Sequence, residues 1–154
     1  MMNSNKGFTL LEILIALGIL AMILTIVFFS FSKLNSSQAL DKSADLVVSV
    51  LEEARSHTLS SVGASQYGVY LDEFEITLFK GTTYVPLDAD NKVTALNTFV
   101  AIRDVDLSGG GSSVVFKRLT GSTDEVGTAE VYLKTDPSTF RTITISSTGV
   151  VEWN

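Results

Sequence analysis

The sequence predicts an α+β protein: one long N-terminal helix, apolar in its first half and amphipathic in its second, packed on an antiparallel β-sheet head. Three observations carry that prediction. Residues 8–31 form a 24-residue apolar run holding a single charge, Glu12. Apolar residues then recur at three- and four-residue steps from Leu40 to Thr58, the spacing of one helix face. From Tyr67 onward the pattern changes to short β-rich runs separated by turn residues. At 154 residues there is room for one ordinary domain and an appendage, not for two full domains.

Composition narrows the function classes. The mean hydropathy of +0.32 comes from the apolar run; without it the remainder reads as a polar domain. A net charge of −6 and a pI near 4.6 argue against a nucleic-acid binder, which needs clustered Lys and Arg to neutralise phosphates. From Gly63 onward 12 acidic side chains stand against 7 basic ones. The absence of cysteine excludes a disulfide framework, a thiolate zinc site and a cysteine nucleophile together. The broad class is a membrane-anchored or exported domain.

Met1–Gly7 is short and polar, with one cation, Lys6. The run after it, FTLLEILIALGILAMILTIVFFSF, contains no proline and a single glycine, Gly18. As a helix it rises roughly 36 Å, enough for a hydrocarbon core of about 30 Å. Three readings compete. A secretory signal has an apolar core of about 7–15 residues; this run is longer, although Ser37-Gln38-Ala39 offers a small-x-small cleavage site. A plain single-pass anchor fits the length but leaves Glu12 without a role, and a carboxylate in lipid costs about 2.5–3.5 kcal/mol.

The third reading uses every residue. Lys6-Gly7-Phe8-Thr9-Leu10-Leu11-Glu12 resembles the processing site of type IV pilins and pseudopilins. The resemblance implies cleavage between Gly7 and Phe8 by a prepilin peptidase on the cytoplasmic side, N-methylation of Phe8, and Glu12 as fifth residue of the mature chain. It also implies assembly with other pilin or pseudopilin subunits on an inner-membrane platform. The head would then be periplasmic or extracellular. Physics supports that role for Glu12. A helix N-terminus favours a nearby anion, and a cationic amine at Phe8 is costly to bury in lipid. Setting one subunit's Glu12 beside a neighbour's amine compensates both charges and favours a fixed stagger. Repeated head to tail, such a contact builds an open filament. Orientation is not settled by charge, because Lys33 and Lys42 follow the apolar run as Lys6 precedes it.

The helix is expected from about Thr9 to about Ser61, ending near Gly63. Leu40, Ala44, Val47, Leu51, Ala54 and Thr58 form its apolar stripe, while Asp41, Asp45, Glu52, Glu53 and Arg55 mostly take the other face. Strands are expected at 67–71, 74–80, 83–86, 99–103, 113–119, 130–134, 141–146 and 150–153. Ser147-Thr148-Gly149 turns the last two into a hairpin, and the glycine-rich stretches 109–112 and 121–127 read as hairpin loops. The organisation is a leader at 1–7, a membrane or filament-core helix at 8–31, an amphipathic continuation at 32–62 and a β-rich head at 63–154.

Leu51-Glu52-Glu53-Ala54-Arg55-Ser56, Tyr67-Gly68-Val69-Tyr70, Phe79-Lys80-Gly81 and the closing Ile143–Val150 stretch are similar to the GspH/FimT group of minor pseudopilins and pilins. Two departures bear on the subgroup. The chain lacks the C-terminal disulfide loop of many major pilins, and Phe29 stands where many carry a kinking proline. Both suit a pseudopilin or minor pilin better.

Candidate chemistry is sparse. His57, the single histidine, reads as a surface or core-edge residue; no G-x-S-x-G elbow or second histidine accompanies it. Asp88-Ala89-Asp90-Asn91 offers hard oxygens, so Asp88 and Asp90 are weak calcium candidates, but the glycine and distal glutamate of an EF-hand are missing and a solvated turn is the better reading. Asp104-Val105-Asp106 reads as a strand end. Tyr67, Tyr70, Phe74, Phe79, Tyr84 and Phe116 read as core or sheet-face aromatics. The expectation is a structural, non-enzymatic filament subunit without cofactor. The alternative is an exported or anchored β-domain that binds a ligand alone, with residues 1–39 as signal or anchor.

Overall fold

The computed structural model describes residues 8–154, with backbone alone for residues 28–34. Helix α1 spans Leu10–Leu59, and eight strands follow: β1 (Tyr67–Leu71), β2 (Glu75–Lys80), β3 (Lys92–Ala95), β4 (Val100–Leu107), β5 (Ser113–Val115), β6 (Gly127–Leu133), β7 (Asp136–Ile145) and β8 (Val151–Trp153). The expected α+β architecture is present. Two compact units divide at Asn35/Ser36.

In the first unit, Leu10–Val27 is long and apolar enough to cross a membrane and buries nothing within the chain. Thr25, its one polar residue besides Glu12, returns its hydroxyl to the Ala21 carbonyl at 2.8 Å, as a hydroxyl in an apolar medium must.

In the second unit the predicted stripe is the centre of the core. Leu40, Ala44, Val47, Leu51, Ala54 and Thr58 are all fully buried. The head carries two four-stranded antiparallel sheets rather than one, ordered β3-β2-β1-β5 and β4-β6-β7-β8. Val69, Ile76 and Val114 from the first and Val100, Val131, Ile143 and Ile145 from the second join the helix stripe in one apolar cluster. Thr58 shows how a polar residue serves at such a position. Its hydroxyl donates to the Ala54 carbonyl at 2.9 Å and accepts the Tyr67 N–H, also at 2.9 Å, tying the helix end to the start of β1.

The first sheet is covered on its other face too. Gly68 lies opposite Phe79, and a Cβ on Gly68 would stand 2.6 Å from the Phe79 ring, so glycine is what lets the ring lie across β1. Tyr84 closes this second cluster, stacked on Tyr70 at 4.2 Å and tilted against Phe79 at 5.6 Å.

That packing explains one correction: 83–86 is not a strand. It is a loop that delivers Tyr84 as a plug, and Pro86 has no N–H for a ladder. The edge strand β3, Lys92–Ala95, was not anticipated, because four largely exposed residues give no apolar alternation. The stretches 109–112 and 121–127 are not hairpin loops. The first crosses from β4 to β5 in the other sheet, and the second crosses back to β6, with Gly127 already in that strand. Strand β7 starts at Asp136, five residues before the expected position. A register shift at Tyr132/Leu133 lies beside Pro137, where the Asp136 carboxylate accepts the Ser138 N–H at 3.3 Å and the Ser138 and Thr139 hydroxyls at 2.6 and 2.9 Å, holding the irregularity. Asp104 and Asp106 lie in the last four residues of β4 at a bulge, Asp104 with φ of 49°, just ahead of the glycine-rich stretch as expected. Phe74 is half exposed rather than core, with the Lys134 ammonium 5.2 Å above its ring. The helix ends at Leu59, and Ser61, Gly63 and Ala64 all take left-handed conformations before β1.

If the stripe organises the head, Leu51→Ala should remove about 2–5 kcal/mol of stability. Thermal unfolding of the detergent-solubilised full chain should show a large drop in Tm for Leu51→Ala and little change for exposed Glu52→Ala.

Candidate functional site: the N-terminal end of helix α1

The site predicted from sequence sits where α1 begins. Gly7 lies outside the described residues. Phe8 is exposed, and Thr9 immediately precedes the first helical residue, Leu10. Thr9 is the N-cap of α1. Its carbonyl accepts the Ile13 N–H at 3.2 Å, and its hydroxyl oxygen accepts the Glu12 N–H, also at 3.2 Å. Glu12 answers in the reverse direction: its Oε2 accepts the Thr9 backbone N–H at 3.4 Å and the Thr9 hydroxyl at 3.3 Å. This reciprocal pair is a capping box, and it satisfies two of the four donors that every helix start leaves open.

Thr9 is therefore a site residue that the sequence analysis missed. The signal was present, since Thr9-x-x-Glu12 ahead of an apolar run is the capping-box pattern.

The geometry leaves the carboxylate with capacity to spare. Among the described residues its bonds are exposed and long, and Oε2 carries them, while an ionised carboxylate has about four acceptor positions. The group is held at the positive end of the helix dipole one turn from Phe8. On the same side, Phe8, Ile13, Ala16, Leu17 and Leu20 line a shallow, almost wholly apolar groove with Glu12 as its polar member. Such an arrangement can receive a cation at Glu12 while apolar side chains of another helix fill the groove.

The other candidates are engaged within the head. Asp88 accepts the Asp90 N–H at 2.9 Å in a local turn, and Asp90 faces Lys80 at 3.6 Å. Among the described residues no group of three or more His, Cys, Asp or Glu side chains is arranged to hold a metal. His57 is half-buried, edge-on to Tyr67 at 5.1 Å, the core-edge place expected of it. Of the basic residues near the C-terminus, Arg141 pairs with Asp41 at 2.8 Å and lies over Trp153 at 5.7 Å. Trp153 in turn donates to Asp45 at 2.8 Å. Both contacts hold the last two strands to the helix.

Residues 2–28 match the family described as the prokaryotic N-terminal methylation motif. The fold is that of the type IV minor pilin FimU of Pseudomonas aeruginosa, with a TM-score of 0.54, 14% identity, and coverage of 75% of this chain and 92% of that one. A second crystal form of FimU gives a TM-score of 0.56 at 14% identity over 80% and 92%. The minor pseudopilin EpsH of the Vibrio cholerae type 2 secretion system matches with a TM-score of 0.56 and 16% identity, over 75% of this chain and 95% of that one. No curated protein sequence matches the chain. The chain thus joins a match to the prokaryotic N-terminal methylation motif to a head with the fold of FimU and EpsH.

Removing the cap tests the box. Thr9→Ala should cost about 1 kcal/mol of local helix stability, read as roughly fivefold faster amide exchange at Glu12 and Ile13 in micelles. Thr9→Ser should restore protection.

Proposed function

We propose that this protein is a structural subunit, a pseudopilin or minor pilin, of a type IV pilus-like or type II secretion filament. In this reading a prepilin peptidase cuts between Gly7 and Phe8, and Phe8 is N-methylated. The chain waits in the inner membrane as a single-pass protein with its head exported, and an assembly platform then adds it to the filament through α1. Other pilin or pseudopilin subunits are its partners. The role has no catalytic step and no cofactor.

One observation carries the reading. The methylation-type motif at residues 2–28 leads into a helix half that buries nothing within the chain, on the same polypeptide as a head with the FimU and EpsH fold. An apolar helical surface of that length needs either lipid or other helices around it, and a filament subunit uses both in turn. Glu12 is the register device: beside a neighbour's Phe8 amine its charge is compensated only at one axial offset. The capping box keeps that carboxylate at the helix start until the amine arrives.

Two variants test this in cells carrying the native filament system. Glu12→Ala should be processed at the normal rate yet be nearly absent from sheared filaments. Replacing Gly7 with Val should leave the leader uncut and the chain in the membrane. Normal incorporation of the Glu12→Ala chain would contradict the register role.

A further inference from the structure

The contacts of β7 define the two ends of the head. Arg141 in β7 meets Asp41 at 2.8 Å, and Arg55 donates to the Thr148 carbonyl, in the turn after β7, at 3.4 Å. Strand and helix therefore run side by side in the same direction. The start of β7 lies at the end of the head where the chain enters it, at Ser36. Two further turns share that end. Val100 pairs with Leu133, which brings residues 97–99 there, and the Glu73 carbonyl accepts the Ile102 N–H at 2.8 Å, which brings the β1–β2 turn.

Each of these two turns displays a phenylalanine. Phe74 is 53% exposed and Phe99 48%, although turns favour Gly, Asn, Asp, Ser and Pro. Their backbones are fixed: the Phe74 carbonyl accepts the Leu96 N–H at 3.0 Å, and the Phe99 carbonyl accepts the Lys134 N–H at 2.9 Å. Lys134 joins the two turns, with its ammonium 5.2 Å above the Phe74 ring and no carboxylate partner among the described residues. Neither ring belongs to the core cluster, so folding alone does not account for their display. Exposed rings beside a lysine suit a membrane surface, where the rings enter the headgroup layer and the ammonium stays wet.

The chain itself supplies a membrane close by. Leu10–Val27 is long and apolar enough to span one, and residues 28–35 are all that separate it from the head. Fully extended, that link reaches about 30 Å, so the head stays near any bilayer that the run enters. Asp72, Glu73 and Asp136 are exposed beside the rings, so this end of the head is not built to attract anionic lipid. The apolar rings, not net charge, supply the contact.

We propose that this end of the head, through Phe74, Phe99 and Lys134, rests on the zwitterionic lipid surface of the membrane that holds the apolar run, before the subunit is assembled. The inference rests on the membrane-spanning part of the proposed function and adds a second, peripheral attachment. That attachment fixes how the head is presented, with the Ser147–Gly149 turn at the far end of β7 directed away from the lipid.

The absence of cysteine makes site-specific labelling clean. In the full chain, Thr98→Cys beside Phe99 and Thr148→Cys at the far turn would each carry a fluorophore; both positions are exposed. The chain would be placed in nanodiscs of phosphatidylcholine containing a small fraction of lipid with a nitroxide on its headgroup. The label at position 98 should be quenched and the label at position 148 should not. Phe74→Ser with Phe99→Ser should cut the quenching at 98 roughly threefold, and Phe74→Trp with Phe99→Trp should keep or raise it. Because both rings are exposed, thermal unfolding should be unchanged in either pair. Equal quenching at 98 and 148, or quenching at 98 that survives the serine pair, would overturn the inference, since nearness alone would then explain it. Quenching that appears only with anionic lipid would overturn the aromatic contact. Absence of quenching in a chain inserted in the disc would sink this inference alone, whereas a chain that fails to insert would sink the membrane reading with it.

Discussion

Everything in the head hangs on one stripe of α1. Leu40, Ala44, Val47, Leu51, Ala54 and Thr58 are fully covered, and both sheets place their inner faces against the same cluster. Neither four-stranded sheet pairs with the other, so the helix stripe and the three crossovers between the sheets join them into a single body. Remove the stripe and each sheet keeps its hydrogen bonds but loses the apolar surface that fixes its place. Polar contacts then set the register at both ends of this helical segment. Trp153 and Arg141 reach Asp45 and Asp41 at one end, and Arg55 with Thr58 binds loop and strand at the other.

The apolar half of the same helix obeys the opposite rule. Leu10–Val27 has no cover within the chain, and its only charge among the described residues, Glu12, lies in its first turn in a capping box with Thr9. A fold that spends half its longest element on surface it cannot bury is incomplete as a single molecule. In the proposed function the uncovered helix supplies the means of association, beside a head with the fold of FimU and EpsH.

Much of this was legible in the residues, and the failures have physical causes. Helical periodicity is local, so the stripe could be read position by position, and the Ser147–Gly149 turn joining β7 to β8 could be read from a few adjacent residues. Strand partnership is not local. Nothing near Gly109–Ser112 says that the chain leaves one sheet for another, because the partner of β5 is β1, more than forty residues earlier. Tyr84 looked like a strand residue since aromatics favour strands, yet its ring is needed over Tyr70 and Phe79. Phe74 looked like core because it is large and apolar, and it sits at a turn. At the site itself, Gly7, Phe8 and Glu12 stand out through the resemblance of Lys6–Glu12 to prepilin processing sites. Thr9 was passed over, although its partnership with Glu12 obeys a three-residue rule.

The central claim is that the chain is a processed prepilin-type subunit, and its mature N-terminus decides it. Mass spectrometry of the protein from native membranes and from sheared filaments should find a chain beginning at Phe8 and carrying one added methyl group. A chain beginning at Leu40 would mean ordinary signal-peptide export, and an intact Met1 would mean a plain anchor. Either result would contradict the account.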